Sequence, residues 1–322
     1  MVLLRNIDNR GKVLGHLACF TAYAIFGVNI IVCKDLTTSH LISPMALFLL
    51  RSFFACAIFW LISFFLPQEK VESRDYPKIF AASLLGFFVT QLTFLVAIPD
   101  VTPMNCSILS ALSPVYTMFI AAVAIKEPIT FKKAGGVLLS LCGVIFLILN
   151  RASAASGVEH SSAFGIFLMI LNGLSFSLYL GLFKPLISKY SVVTFMKWIF
   201  LFSTLVSLPL AGKEVVTLRW NTIPSDFILE LSFLIVFATF ISYFLIPFGQ
   251  KRLRPTLVSM YSYAQPIIAT VISICLGMET LSWQKILSAV MVFAGVFIVS
   301  RSRSAADLSS STGASGKRSS SN

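Results

Sequence analysis

The side chains able to do acid–base, nucleophilic or metal chemistry are few in this 322-residue chain, and badly placed for it. The 13 Asp and Glu fall in or beside the segments between apolar runs, none near the middle of a run. No two make a general acid–base pair. The three histidines, His16, His40 and His160, stand at the edges of apolar runs or between them. GxSxG, HExxH and GxxxxGK[ST] are all absent. The six cysteines (Cys19, Cys33, Cys56, Cys106, Cys142 and Cys275) lie inside apolar runs, with no CxxC pair and no histidine at ligand spacing. They read as small packing residues rather than disulfides or metal ligands. No catalytic residue, metal site or cofactor is expected.

What the apolar runs do hold is uncharged polar groups. Asn29 stands in the first run, Thr90, Gln91 and Thr93 in the third, and Ser110, Ser113 and Tyr116 around Pro114 in the fourth. Asn172, Ser175 and Tyr179 stand in the sixth, Ser242 and Tyr243 in the eighth, and Tyr261, Ser262, Tyr263 and Gln265 before Pro266 in the ninth. Each must meet another helix, its own backbone or a water-filled cavity. A lone Ser or Thr usually bonds back to its own helix. The clusters at 110–116 and 261–265 each abut a proline, which frees a backbone carbonyl that a cavity can satisfy. These two segments, with Gln91 and Asn172, are expected to line a path. Their chemistry is hydrogen bonding and ring packing on an apolar group.

Two cations also fall inside runs. Arg51 lies seven residues into the second, about 10 Å along a helix. Lys197 lies about five residues into the seventh, beside Trp198, and the two are roughly related by the repeat described below. Two readings stand for each: a positive contribution to an anionic ligand, or a side chain snorkelling to the membrane surface. Snorkelling is favoured for Lys197, next to a tryptophan. The candidate binding residues are therefore Asn29, Arg51, Gln91, Ser110, Ser113, Tyr116, Asn172, Tyr179, Tyr243, Tyr261, Tyr263 and Gln265.

Composition says what positions them. The chain is 57% apolar and 12% charged, with 30 Phe and a mean hydropathy of +0.88. Soluble domains carry about 25% charged residues, so a soluble enzyme, a nucleic-acid binder and a disordered chain are excluded. Ten runs are long enough to span a bilayer: 14–33, 44–66, 78–98, 103–125, 133–150, 162–183, 192–211, 226–248, 255–276 and 283–300. Continuous apolarity without alternation makes them helices, an all-α polytopic membrane protein. The first run is too long for a signal-peptide core and lacks a cleavage site. The net charge of +12 resides mostly in the connections. Of the 25 Lys and Arg, 18 fall on the side shared by both termini and five on the other. That bias puts both termini in the cytoplasm, in a cytoplasmic membrane.

The chain also repeats itself. Shifting 102–148 by 152 positions pairs Pro103 with Pro255, Ser107 with Ser259, Ser110 with Ser262 and Pro114 with Pro266. It likewise pairs Glu127 with Glu279, Lys133 with Lys285, Gly143 with Gly295 and Val144 with Val296. A shift of 150 pairs Lys34 with Lys184. Five spans per repeat force the halves to cross in opposite directions, so the expected units are 1–152 and 153–301, inverted, followed by a disordered Ser-rich tail, 302–322. Gly173, Ser177 and Gly181, and Gly136, Ser140 and Gly143, are small-residue ladders for close helix contact.

Over residues 13–301 the chain resembles the drug/metabolite transporter superfamily, in its EamA-type branch. The resemblance rests on Lys126-Glu127-Pro128 followed by a helix reaching Gly143-Val144, on Pro266, Glu279 and Gly295-Val296 in the second half, and on Ser43-Pro44 followed by Arg51. Met278-Glu279-Thr280 departs from the Gly-Glu pair common in members. The resemblance implies a central cavity lined by the first, third, fourth, sixth, eighth and ninth spans. It also implies export or exchange of a small metabolite, an amino acid or related carboxylate first. With no intramembrane acid, a facilitator or exchanger fits better than a carboxylate-coupled pump. Broad efflux of amphipathic drugs and a non-transporting scaffold or receptor subunit are the rival readings. The expected partners are a small-molecule substrate and the bilayer, with no nucleic acid, and a monomer suffices.

Overall fold

A computed structural model describes residues 2–39, 41–101, 106, 109–152, 162–218, 223–275 and 282–302. His40, Pro103, Ser107, His160, Glu279 and the tail beyond Ser302 lie outside the described residues. The first half holds α1 (Val2–Thr38), α2 (Pro44–Phe64), α3 (Ser73–Asp100), α4 (Ser113–Ala124) and α5 (Phe131–Ala152). The second holds α6 (Ala163–Leu182), the short α7 (Lys184–Lys189), α8 (Val192–Thr217), α9 (Ser225–Arg252), α10 (Pro255–Met260), α11 (Ala264–Cys275) and α12 (Trp283–Ser300). Among the described residues there is no strand.

Seven of these are long and apolar enough to cross a membrane: α1, α2, α3, α6, α8, α9 and α12. The expected continuous spans 103–125 and 255–276 are not met as such. In the first, Leu109 and Ser110 are helical, a turn at Ala111–Leu112 follows, and α4 starts at Ser113 with Pro114 in its opening turn. In the second, a 3-10 turn at Tyr261–Tyr263 separates α10 from α11. Proline has no N–H to continue the ladder and clashes with the preceding turn, so a helix starts at it more readily than it passes through.

Local capping ties the halves together. Ser43 and Ser191 are the N-caps of α2 and α8, their hydroxyls accepting from Ala46 N and Thr194 N. Glu214, at the end of α8, accepts from Ser43 N (2.9 Å) and Ser43 Oγ (2.6 Å). Glu69, just past α2, accepts from Ser191 N (2.8 Å). Each helix start is thus held by the other's end, so α2 and α8 lie side by side and antiparallel. A carboxylate at a helix N-terminus also meets the positive end of its dipole.

α5 and α12 pair the same way. A Cβ on Gly136 would sit 2.7 Å from Gly295 O, and one on Gly143 2.9 Å from Met291 Cβ. Ser140 Oγ donates to Val292 O at 3.0 Å. The ladder on α6 is likewise a contact surface: Ser177 Oγ donates to Ser113 O (3.0 Å), and a Cβ on Gly181 would meet Ile120 Cγ2 at 2.5 Å. Gly295→Val is therefore expected to lower the melting temperature in detergent, with overpacking of about 1–3 kcal/mol. Gly135→Ala, where a Cβ meets nothing within 4 Å, is the control. Equal melting of both variants would refute the close packing.

The remaining contacts exchange with the halves. α1 packs on α9 and α11, and α6 packs on α3 and α4. α2 packs on α9, and α8 on α3. An aromatic core fills the space where α2, α3, α8 and α9 meet. Phe87 lies 4.5 Å from Phe200 and 4.9 Å from Tyr243, and Phe59 lies 4.8 Å from Phe240, centroid to centroid.

A buried ion pair closes one end. Lys126 takes a left-handed backbone (φ 54°), turning the chain after α4 so that Glu127 N reaches Ala121 O at 3.1 Å. The Glu127 carboxylate then points inward, 2.9 Å from Lys133 Nζ, 3.2 Å from Thr256 Oγ1 and 3.9 Å from Arg254 Nε. Nearby, Lys184 on α7 donates to the carbonyls of Gln250 and Leu253. Burial pulls its ammonium down to about 8.

Candidate functional site

Two π-helical turns, Leu84–Val89 in α3 and Leu234–Ile241 in α9, stand at equivalent places in the two halves. Each widens its helix, and hydroxyls satisfy the carbonyls that widening frees. Thr90 Oγ1 donates to Leu85 O (2.6 Å) and Ser242 Oγ to Phe237 O (3.0 Å), each five residues back. Such turns rotate everything beyond them and recur at functional sites. Two residues past each turn stand Gln91 and Tyr243, and Gln91 Nε2 donates to Tyr243 OH at 2.7 Å. Offset by 152, these two are each other's counterparts.

They form one wall of a cavity of about 90 Å³ between α1, α3, α6, α9 and the segments around Ser110 and Ser262. Its lining is paired across the halves. Gln91 faces Tyr243, Ser110 pairs with Ser262, Ser113 with Gln265, and, at an offset of 150, Phe26 with Phe176. Asn29, Tyr23, Ile30, Thr90, Phe94 and Asn172 complete it. Asn172 Nδ2 donates to Thr90 O (2.6 Å), fastening α6 to α3. Among the described residues, no Asp, Glu, Lys, Arg or His lines the cavity. Three buried polar atoms of the lining have no partner among the described residues: Tyr23 OH, Gln91 Oε1 and Ser262 Oγ. An unpaired buried polar atom is destabilising by about 1–3 kcal/mol, so the site is built to receive hydrogen bonds. The volume is small beside the ~300–1,000 Å³ of small-molecule pockets, so this conformer is a contracted one.

Of the residues singled out above, Asn29, Gln91, Ser110, Ser113, Asn172, Tyr243 and Gln265 are brought together here. Five are not. Tyr116 packs beside Gly173 of α6. Tyr179 lies over Gly86, where a Cβ would clash with its ring. The Tyr261 hydroxyl bonds His16 Nδ1. Tyr263 is fully buried away from the lining. Arg51 is the fifth. It is fully buried on α2, so it does not snorkel; its Nε donates to Thr239 Oγ1 at 2.9 Å. Lys197 Nζ instead donates to Ser63 Oγ (2.8 Å) and lies 4.8 Å over the Trp60 ring, among Trp198 and Tyr76. The rough symmetry expected between Arg51 and Lys197 does not hold. They stand eight and six residues past their caps, and two residues on a helix is about 200° of rotation. Sequence reasoning missed the aromatic lining, Tyr23, Phe26, Phe94 and Phe176. The offset pairing Phe26 with Phe176 was the available signal.

Membrane-spanning helices whose counterparts run antiparallel, enclosing a buried cavity lined by hydroxyls, amides and aromatic rings, define a membrane transporter. The chain belongs to the EamA-like transporter family, whose model matches residues 13–149 and 163–301. An uncharacterized transporter of Archaeoglobus fulgidus is 22% identical over 262 residues, 81% of this chain and 90% of its own. A Salmonella typhimurium protein named a probable amino-acid metabolite efflux pump is 27% identical over 298 residues, covering 88% and 93%. A solved crystal structure matches with a TM-score of 0.68 at 14% identity, over 90% of this chain and 96% of its own. That likeness concerns the fold alone.

Proposed function

We propose that the protein is a secondary transporter that exports or exchanges a small polar metabolite, an amino acid or related carboxylate, by alternating access. The observation that carries this reading is the cavity's paired lining with unpartnered Tyr23 OH, Gln91 Oε1 and Ser262 Oγ. A site on the boundary of two inverted halves is approachable from either face if the same contacts open on one side as they close on the other. The antiparallel α2–α8 and α5–α12 pairs and the exchanging contacts support two five-helix units, 1–152 and 153–301, making ten spans. The distribution of Lys and Arg supports cytoplasmic termini in a cytoplasmic membrane. The relative named as an amino-acid metabolite efflux pump supports the substrate class. No carboxylate or histidine is among the described lining residues, which supports a cycle driven by the solute's own gradient over a carboxylate relay.

The test is release from proteoliposomes loaded with amino acids, organic acids, sugars and nucleosides, beside empty liposomes. Selective loss of amino acids or organic acids is the expected result. Release of unrelated amphipathic compounds without a preferred class would replace this reading with broad efflux. No release from correctly folded protein would sink transport of these solutes altogether.

A further inference from the structure

We propose that Arg51 selects substrates bearing a carboxylate and rejects cationic ones, acting from one helical turn outside the cavity. This rests on the transport reading above and names the charge that would give it specificity.

Arg51 is a fully buried cation in the middle of an apolar core. Its Nε is used by Thr239 Oγ1, and its Nη1 reaches only Cys33 Sγ, at 3.8 Å. Its Nη2 has no partner among the described residues, and none of their carboxylates pairs with it. The acidic side chains towards the ends of α1 and α9, Asp35 and Glu230, line a different cavity, together with Asp226. A buried charge lacking a counter-ion is strongly unfavourable, and an intramembrane charge kept in that state points to a functional role.

Both of its neighbours lead to the cavity. Thr239 is one turn from Tyr243 on α9. Cys33 is one turn from Asn29 on α1, and its thiol donates to Asn29 Oδ1 at 3.4 Å. Tyr243 and Asn29 both line the cavity. The guanidinium is therefore bracketed by the two elements that form one end of the site, where the low dielectric lets its field reach a bound solute. The charge is also one-sided. Eight residues past its own cap, α8 carries Ile199 where α2 carries Arg51. Gln91 and Tyr243, Ser110 and Ser262, and Ser113 and Gln265 are paired across the halves, whereas the only charge bracketing the cavity among the described residues belongs to one half. A solute's carboxylate is thus drawn to the Arg51 end, and its apolar part to Phe26, Phe94 and Phe176.

The test compares release of phenylalanine, leucine and threonine with release of their carboxamides from proteoliposomes at about pH 6, where the acids are zwitterions and the amides cations. Wild type is expected to favour each acid by about tenfold or more. Arg51→Gln should bring the ratio to within about threefold of one, while Arg51→Lys keeps the preference. Cys33→Asp places a carboxylate beside the guanidinium, neutralising it without removing it, and should abolish the preference where Cys33→Asn does not. If Arg51→Gln does not fold, Cys33→Asp against Cys33→Asn decides.

A wild-type ratio preserved in folded Arg51→Gln or in Cys33→Asp overturns the inference. So does equal loss of acid and amide release in folded Arg51→Gln, which marks a structural role. Equal release of acid and amide by wild type overturns it too, leaving transport intact. If wild type releases neither compound, the amino-acid reading has failed and this inference falls with it.

Discussion

Replacing Gln91 by Leu should reduce flux through the protein by about tenfold or more, with the fold intact. Gln91 Nε2 holds Tyr243 OH at 2.7 Å, and its Oε1 is buried without a partner among the described residues. Leucine removes both the bridge between α3 and α9 and the acceptor that a solute would use. Losing one buried hydrogen bond and stranding its partner is worth about 1–3 kcal/mol. Since about 1.4 kcal/mol is tenfold in an equilibrium, the effect is readable in initial rates of release. Tyr243→Phe should act alike, because its ring keeps its contacts with Phe87 and Phe200 while only the hydroxyl is lost. The two residues share one interaction, so the double variant should be no slower than the slower single variant. A product of the two single effects would mean that the groups act separately. Wild-type flux in well-folded Gln91→Leu would remove the cavity from the transport path.

Glu127→Gln is expected to have the largest effect on stability. Glu127 and Lys133 are both buried and lie 2.9 Å apart. Neutralising the carboxylate leaves the ammonium with Pro128 O at 3.3 Å and no counter-charge. Breaking a buried pair from one side destabilises by about 3–5 kcal/mol, whereas replacing both partners by apolar groups of similar size is often neutral. Glu127→Gln should therefore melt well below wild type in detergent, and Glu127→Leu combined with Lys133→Met should recover most of the loss. A double variant as unstable as the single would show that the hydrogen bond to Thr256, not charge balance, carries the contribution. Because Glu127 also faces Thr256 and Arg254, the weakened joint is the one between the end of α4 and the start of α10.

The amino-acid sequence by itself determined the class. Low charge and long apolar stretches leave no alternative to helices in a bilayer, since every backbone group there must be satisfied within its own segment. It also points to the repeat, in which Pro114 and Pro266 stand at helix starts and Gly143 and Gly295 at close helix contacts. Ser43-Pro44 likewise read as a helix start, and the glycine ladders as contact surfaces.

Only the tertiary structure decided which polar groups meet. A side chain's direction depends on the rotation of its whole helix, and the turns at 84–89 and 234–241 change that rotation through a widening that apolar runs do not announce. Thus Gln91 and Tyr243 share one cavity, while Tyr116 and Tyr179, spaced as plausibly, are taken up by packing on Gly173 and Gly86. Whether Arg51 reached the membrane surface or stayed inside was open in the sequence, since depth along a helix leaves the facing side undetermined. The packing of α2 against α9 settled it, turning the guanidinium toward Thr239 and away from lipid.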